Sequence, residues 1–135
     1  TAEKTLYTFT IPANTITVDG QAFVIEAGGS FGSNGNTKTL KLYFGGAVMT
    51  MNNITTAPNG SAGGWTNKHV FKRTSSTTFM RAGNTTVGST AQATNNTTGI
   101  SVASTSAIII KITGTNGTAT ADDIVCNHVD LMFRA

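Results

Sequence analysis

An all-β fold is predicted by this sequence: an antiparallel two-sheet β-sandwich of jelly-roll type with eight or nine strands. Three observations predict it. Apolar residues fall in short alternating runs, such as Tyr7, Phe9 and Ile11 among threonines, or Leu40, Leu42 and Phe44 around Lys41 and Tyr43. Period two sends one set to a core and the other outward. Turn signals such as Asp19-Gly20, Asn34-Gly35 and Asn116-Gly117 separate the runs at the spacing of sandwiches. No apolar period of 3.6 residues persists long enough for a helix. Threonine supplies about a fifth of the chain, and its branched Cβ suits a pleated strand. The 135 residues suffice for one domain, residues 1–135, around one two-layer core. A closed barrel or an immunoglobulin-like sandwich is the alternative topology, although the Cys–Trp–Cys signature of true immunoglobulin domains is absent.

Taken in order, the first strand covers residues 4–11 and stops at Pro12, which cannot donate to a ladder. Residues 16–18 make a short second strand closed by Asp19-Gly20. Residues 23–46 then read as a long hairpin. Phe23, Val24 and Ile25 begin one arm, residues 40–44 form the other, and Ser33-Asn34-Gly35-Asn36 lies between them. Asn-Gly is the preferred pair for a type I′ turn, in which both central residues need positive φ. Residues 47–51 continue extended, and 52–64, with Pro58, form a loop. Residues 65–74 resume the strand pattern, with His69, Phe71 and Arg73 on one face and Lys68, Val70 and Lys72 on the other. Residues 78–81 follow, then a turn at Gly83-Asn84. Residues 85–99 have little to bury and read as a long surface loop or a polar edge strand. Runs at 100–102, 107–113 and 124–133 complete the set.

The balance of charge excludes several functions. Charged residues are 11% of the chain, far below the usual quarter, so hydroxyls and amides carry the solubility. The net charge of +3 is spread over Lys38, Lys41, Lys68, Lys72, Arg73 and Arg81, with no run dense enough for a nucleic-acid tract. No apolar run is long enough to insert in a membrane, and no signal peptide is visible. The single cysteine, Cys126, forms no intrachain disulfide and reads as a packed, reduced thiol. Asn-x-Ser/Thr triplets at Asn53, Asn59, Asn84, Asn95, Asn96 and Asn116 are what chance supplies in such a chain, and they read as unmodified.

Candidate chemistry is sparse. Cys126, His128 and Asp130 at i, i+2 and i+4 share one strand face, and His69 would be a fourth ligand. Side chains along one strand diverge, so an ordinary mixed strand face explains them better than a metal site; no cofactor or metal is expected. With Met132, these residues make a face too apolar for simple exposure, beside a core face of Val125, Val129, Leu131 and Phe133. The face therefore reads as an oligomer contact formed by Cys126, His128, Asp130 and Met132. No Gly-x-Ser-x-Gly elbow, phosphate loop or convincing carboxylate pair is present, so no enzyme is expected. Trp65, Tyr43 and Lys41 are the candidate contacts for a host receptor or glycan, Trp65 as a stacking platform, although a lone Trp at a strand start is more often core.

Several segments carry a resemblance. They are residues 7–15, residues 38–46, Gly64-Trp65, the basic strand from His69 to Arg73, and residues 113–119 leading into Asp122-Asp123-Ile124-Val125. Together the chain resembles small β-domains of tailed-bacteriophage virion proteins, found in tail fibres and other particle-surface components. The resemblance implies a homotrimeric jelly roll: a fibre or spike knob or a head decoration, made in the host cytoplasm and placed on the virion surface. Its partners would be itself, other virion proteins and a host surface glycan. The matched positions are turns and core residues, so the resemblance carries no catalytic or binding residue with it. A carbohydrate-binding module or lectin is the alternative function. A small capsid subunit of a non-tailed virus lacks support, because no basic arm for a genome is present.

Overall fold

The computed structural model describes residues 2–32, 34–54, 63–88, 90–118 and 120–135; of residues 52–54 and 90–95 it describes the backbone. Nine strands follow in order: β1 (Lys4–Ile11), β2 (Ala22–Phe31), β3 (Lys38–Phe44), β4 (Ala47–Ile54), β5 (Gly64–Ser75), β6 (Thr78–Val87), β7 (Thr90–Ser101), β8 (Ile108–Asn116) and β9 (Ile124–Arg134). They form a four-stranded sheet in the order β1-β8-β3-β4 and a five-stranded sheet in the order β7-β6-β5-β2-β9. Every pairing is antiparallel. This is the two-sheet sandwich that the alternation predicts. β8 returns between β1 and β3, and β9 returns beside β2, so the chain ends nest into its beginning as in a jelly roll. β3-β4 and β5-β6-β7 are plain meanders. Residues 55–62, including Pro58 and Asn59 of the expected loop, lie outside the described residues, as do Ser33 and the side chains of Asn53 and Asn95.

The inward residues interdigitate between the sheets. Leu40, Leu42 and Phe44 of β3 and Ile108, Ile110 and Ile112 of β8 face Phe23, Ile25 and Phe31 of β2, Trp65 and Phe71 of β5, and Phe79 of β6. Phe44 stacks on Phe71 with centroids 4.0 Å apart and meets Phe79 edge-on at 5.1 Å, so one ring fastens two strands of the opposite sheet. Truncating such a ring to alanine costs about 3–5 kcal/mol.

Four expectations are corrected. Residues 23–46 are not a hairpin: β2 lies in the five-stranded sheet and β3 in the other, so the segment around Asn34 is a corner that changes sheets. Gly35 has no positive φ and no type I′ turn forms there. The hairpin is instead β3-β4, where Phe44 pairs Ala47 across Gly45-Gly46 and Gly45 takes φ +60, the position glycine fills in a type II′ turn. Residues 16–18 are not a strand but a loop that buries Ile16, with Gln21 Oε1 accepting from the Thr17 and Val18 amides. Gly83-Asn84 is not a turn but the middle of β6; Gly83 sits opposite His69, and a Cβ there would collide with His69 Nδ1 and the Lys68 carbonyl oxygen. Of the two readings of residues 85–99, the edge strand holds from Thr90 onward, as β7, while residues 85–87 complete β6 and Gly88 turns between them.

Candidate functional site

The expected contact face on β9 is only partly assembled. β9 carries a bulge: Gly28 of β2 pairs His128 while the next residue, Gly29, pairs Cys126, which leaves Asn127 unpaired. An extra residue reverses the alternation on either side of it. Cys126 therefore joins Val129 and Leu131 against the core, and Val125 leaves the core face. This corrects the expectation that Cys126 shares a face with His128, Asp130 and Met132. Burial raises the Cys126 thiol pKa. His128 and Asp130 are exposed on the outer face of the five-stranded sheet, beside the pair formed by Glu26 and Lys68 at 2.7 Å. His69 lies wholly inside the sandwich. The four metal-ligand candidates thus occupy opposite faces of the sheet, and among the described residues no group of three His, Cys, Asp or Glu is placed to hold a metal ion.

The receptor contacts are also separated. Trp65 is 1% exposed, packs beside Phe31 and donates from Nε1 to the Val125 carbonyl at 3.0 Å, so it is core and no stacking platform. Lys41 and Tyr43 do point outward from β3, but Glu3 holds them. Its carboxylate accepts from Tyr43 Oη at 2.6 Å, from Thr113 Oγ1 at 2.6 Å and from Lys41 Nζ at 3.1 Å. The hydrogen bonds from Thr113 and Tyr43, then the one from Lys41, hold the Glu3 pKa down at about 2. Lys111 Nζ sits 4.3 Å from the Tyr43 ring centroid, completing a polar patch on the outer face of the four-stranded sheet.

The group that sequence reasoning passed over lies on the inner face of β5 and β6. Asn67, His69, Arg81 and Thr85 are all buried there. Asn67 Nδ2 donates to Met51 Sδ at 2.8 Å, but Asn67 Oδ1, both His69 ring nitrogens, Thr85 Oγ1, and Nε and Nη1 of Arg81 have no partner among the described residues. Burial, and then the charge of Arg81, push the His69 pKa down to about 4, so its imidazole is neutral at physiological pH. Burial alone lowers the Arg81 pKa. The signal was available: Arg81 is in phase with Phe79, and His69 with Phe71, on strands whose alternation sets the inward face.

Arg81 forms part of a cleft of about 700 Å³ between the β4 edge of one sheet and the β7 edge of the other. Met49 and Ile100 supply its apolar wall, and Thr50, Thr97 and Ser101 stand exposed around it. Arg81 Nη2 reaches Thr97 Oγ1 at 3.4 Å, a long bond for a guanidinium. Compared with known proteins, the chain matches no family model, no curated protein and no solved structure. Among the described residues no helix is long and apolar enough to cross a membrane.

Proposed function

We propose that the chain is a non-enzymatic structural module of a tailed-bacteriophage particle, a trimeric fibre or spike knob or a head decoration, whose copies associate through the β1/β9 side of the sandwich. One observation carries the reading. β9 is an edge strand of 11 residues, without proline or lysine, and its backbone edge beyond β2 faces no other strand among the described residues. Such an edge is a template for another chain unless it is blunted, and the bulge of β9 lies at Asn127, leaving residues 128–134 in regular register. Apolar side chains stand beside it: Met132 at 41% and Phe133 at 45% exposure, with Phe9 of the facing edge strand β1 at 39%. Phe9 stacks on Phe23 at 6.3 Å, and Phe23 pairs Phe133, so these rings form one seam where the sandwich is left open. The resemblance of the turn and strand segments to virion β-domains supports the particle setting.

Size-exclusion chromatography with light scattering at micromolar concentration tests the assembly. The expected mass is that of a trimer, and Phe133→Ser should yield a monomer that keeps its β-sheet circular dichroism. A wild-type monomer under these conditions would sink the proposal. Labelling the protein on an imaged particle would then locate it.

A further inference from the structure

We propose that the β4/β7 cleft is a binding site for an acidic saccharide, with Arg81 anchoring the acid group and Thr50, Thr97 and Ser101 offering hydroxyls to the sugar. The proposal is independent of the assembly through β9, which lies at the opposite side of the sandwich.

Arg81 carries an unbalanced charge. It is 6% exposed, and its Nε and Nη1 have no hydrogen-bond acceptor among the described residues. The chain contains six carboxylate side chains, and each has its place away from Arg81. Glu3 is held by Thr113, Tyr43 and Lys41 on the outer face of the four-stranded sheet. Asp19 pairs Arg73 at 2.7 Å, and Glu26 pairs Lys68. Asp123 is bonded by Asn34 and Asn36, and its neighbour Asp122 leads into β9. Asp130 lies on the outer face of β9. None lines the cleft. A buried cation without a carboxylate is a large desolvation cost that a folded chain seldom carries without use.

The surroundings then say what kind of anion fits. A bare inorganic ion needs donors alone, whereas this cleft adds an apolar wall of Met49 and Ile100 and exposed hydroxyls at its rim. Apolar wall, hydroxyls and one guanidinium match the C–H face, the hydroxyls and the acid group of a sugar. The weak Arg81–Thr97 bond leaves Nη2 free to turn to a ligand oxygen. The volume of about 700 Å³ is within the range of small-ligand sites.

The test is an NMR titration of the ¹⁵N-labelled protein with four probes: glucuronate, glucose 6-phosphate, glucose and inorganic phosphate. The expected result is that both acidic sugars shift the amides of residues 47–50 and 97–101 and the Arg81 Nε–H, with roughly millimolar affinity. Glucose and phosphate should shift them far less. Arg81→Met should weaken glucuronate roughly tenfold or more. Thr97→Val, at an exposed position with no packing to lose, should weaken it severalfold while leaving the fold intact. Four outcomes would overturn the proposal: no shift with either acidic sugar, equal shifts with glucose, shifts with phosphate alone, or undiminished glucuronate binding in a folded Arg81→Met or Thr97→Val protein.

Discussion

Two buried cations divide the interior of this protein. At the corner between β2 and β3, Lys38 is 0% exposed, yet its ammonium donates to Asn34 Oδ1 at 2.8 Å and to the Asn36 carbonyl at 3.1 Å. Asn34 and Asn36 in turn donate their amide N–H groups to Asp123, which is itself buried. The charge is thus balanced through two amides, and the cluster ties the corner to the loop before β9, where Gly32 N–H also donates to the Asp123 carbonyl at 2.9 Å. Arg81 has no such relay. The difference teaches that burial alone does not define a role. A cation whose donors pass through oxygens of its own chain to a carboxylate holds the fold together, whereas Arg81, with Nε and Nη1 unsatisfied among the described residues and one long bond to Thr97, is open to an acceptor from outside.

The largest expected effect is at the corner. Asp123→Ala should destabilise the protein by about 3 kcal/mol or more, because it leaves two half-buried amides without their acceptor and takes the carboxylate away from the buried Lys38. Urea unfolding followed by circular dichroism measures this. A loss below about 1 kcal/mol would mean that Lys38 is stabilised without its counter-charge, and the contrast with Arg81 would fail.

Next in size is the acid response of the Arg81 region. The folded His69 pKa of about 4 lies below the ordinary 6.5, so between these values the unfolded chain binds a proton that the folded chain refuses. Stability should be fully present above pH 6.5 and fall as pH falls, by about 2 kcal/mol at pH 5 and about 3 kcal/mol at pH 4. The loss down to pH 5 precedes the titration of ordinary carboxylates. Urea unfolding at pH 7 and pH 5 should show it in the wild type and not in His69→Leu. Equal slopes in the two proteins would place the acid sensitivity elsewhere.

A smaller effect of opposite sign is expected at Arg81. Replacing an unpaired buried cation by an apolar side chain of similar length removes a desolvation cost, so Arg81→Met should be neutral or more stable by about 1 kcal/mol in urea. Lys38→Met, by the same reasoning, should be clearly less stable, since it strands the acceptors around it. If both substitutions lowered stability equally, the two cations would be equivalent.

Much of this was legible in the sequence, and the failures have physical causes. The inward faces of β3, β5 and β8 follow from strict alternation, because Leu40, Leu42 and Phe44 have nowhere else to go. Alternation also placed Lys38 in phase with Leu40, but a charge is ordinarily exposed, and only the acceptors brought by Asn34 and Asn36 make its burial tolerable. The Asn34-Gly35 pair suggested a local turn, whereas long-range pairing of β2 with β5 and β9, and of β3 with β8, pulls the two arms into different sheets. Cys126 faces the core against the alternation, because a bulge of one residue leaves no mark in a strand whose two faces are both partly apolar. The cleft depends on which edges the topology leaves facing each other, and spacing along one chain does not encode that.

The smallest effect completes the contrast from outside the core. Glu3 accepts three hydrogen bonds, as many as Lys38 donates once the Asn34 carbonyl at 3.5 Å is counted, but its side chain is 30% exposed and water competes for each of them. Its carboxyl, lowered to about 2, adds stability that is present above the ordinary 4.5 and is lost as pH falls toward 2. Solvent screening keeps that gain small, so Glu3→Gln should cost less than about 1 kcal/mol at neutral pH, and the difference from wild type should shrink by pH 3. Unfolding curves at the two pH values decide it. If Glu3→Gln cost as much as Asp123→Ala, the number of partners would govern the energetics. A small cost would leave access to water as the property that separates a surface clamp from a buried one, and the same property makes the unpaired Arg81 the costlier group to keep.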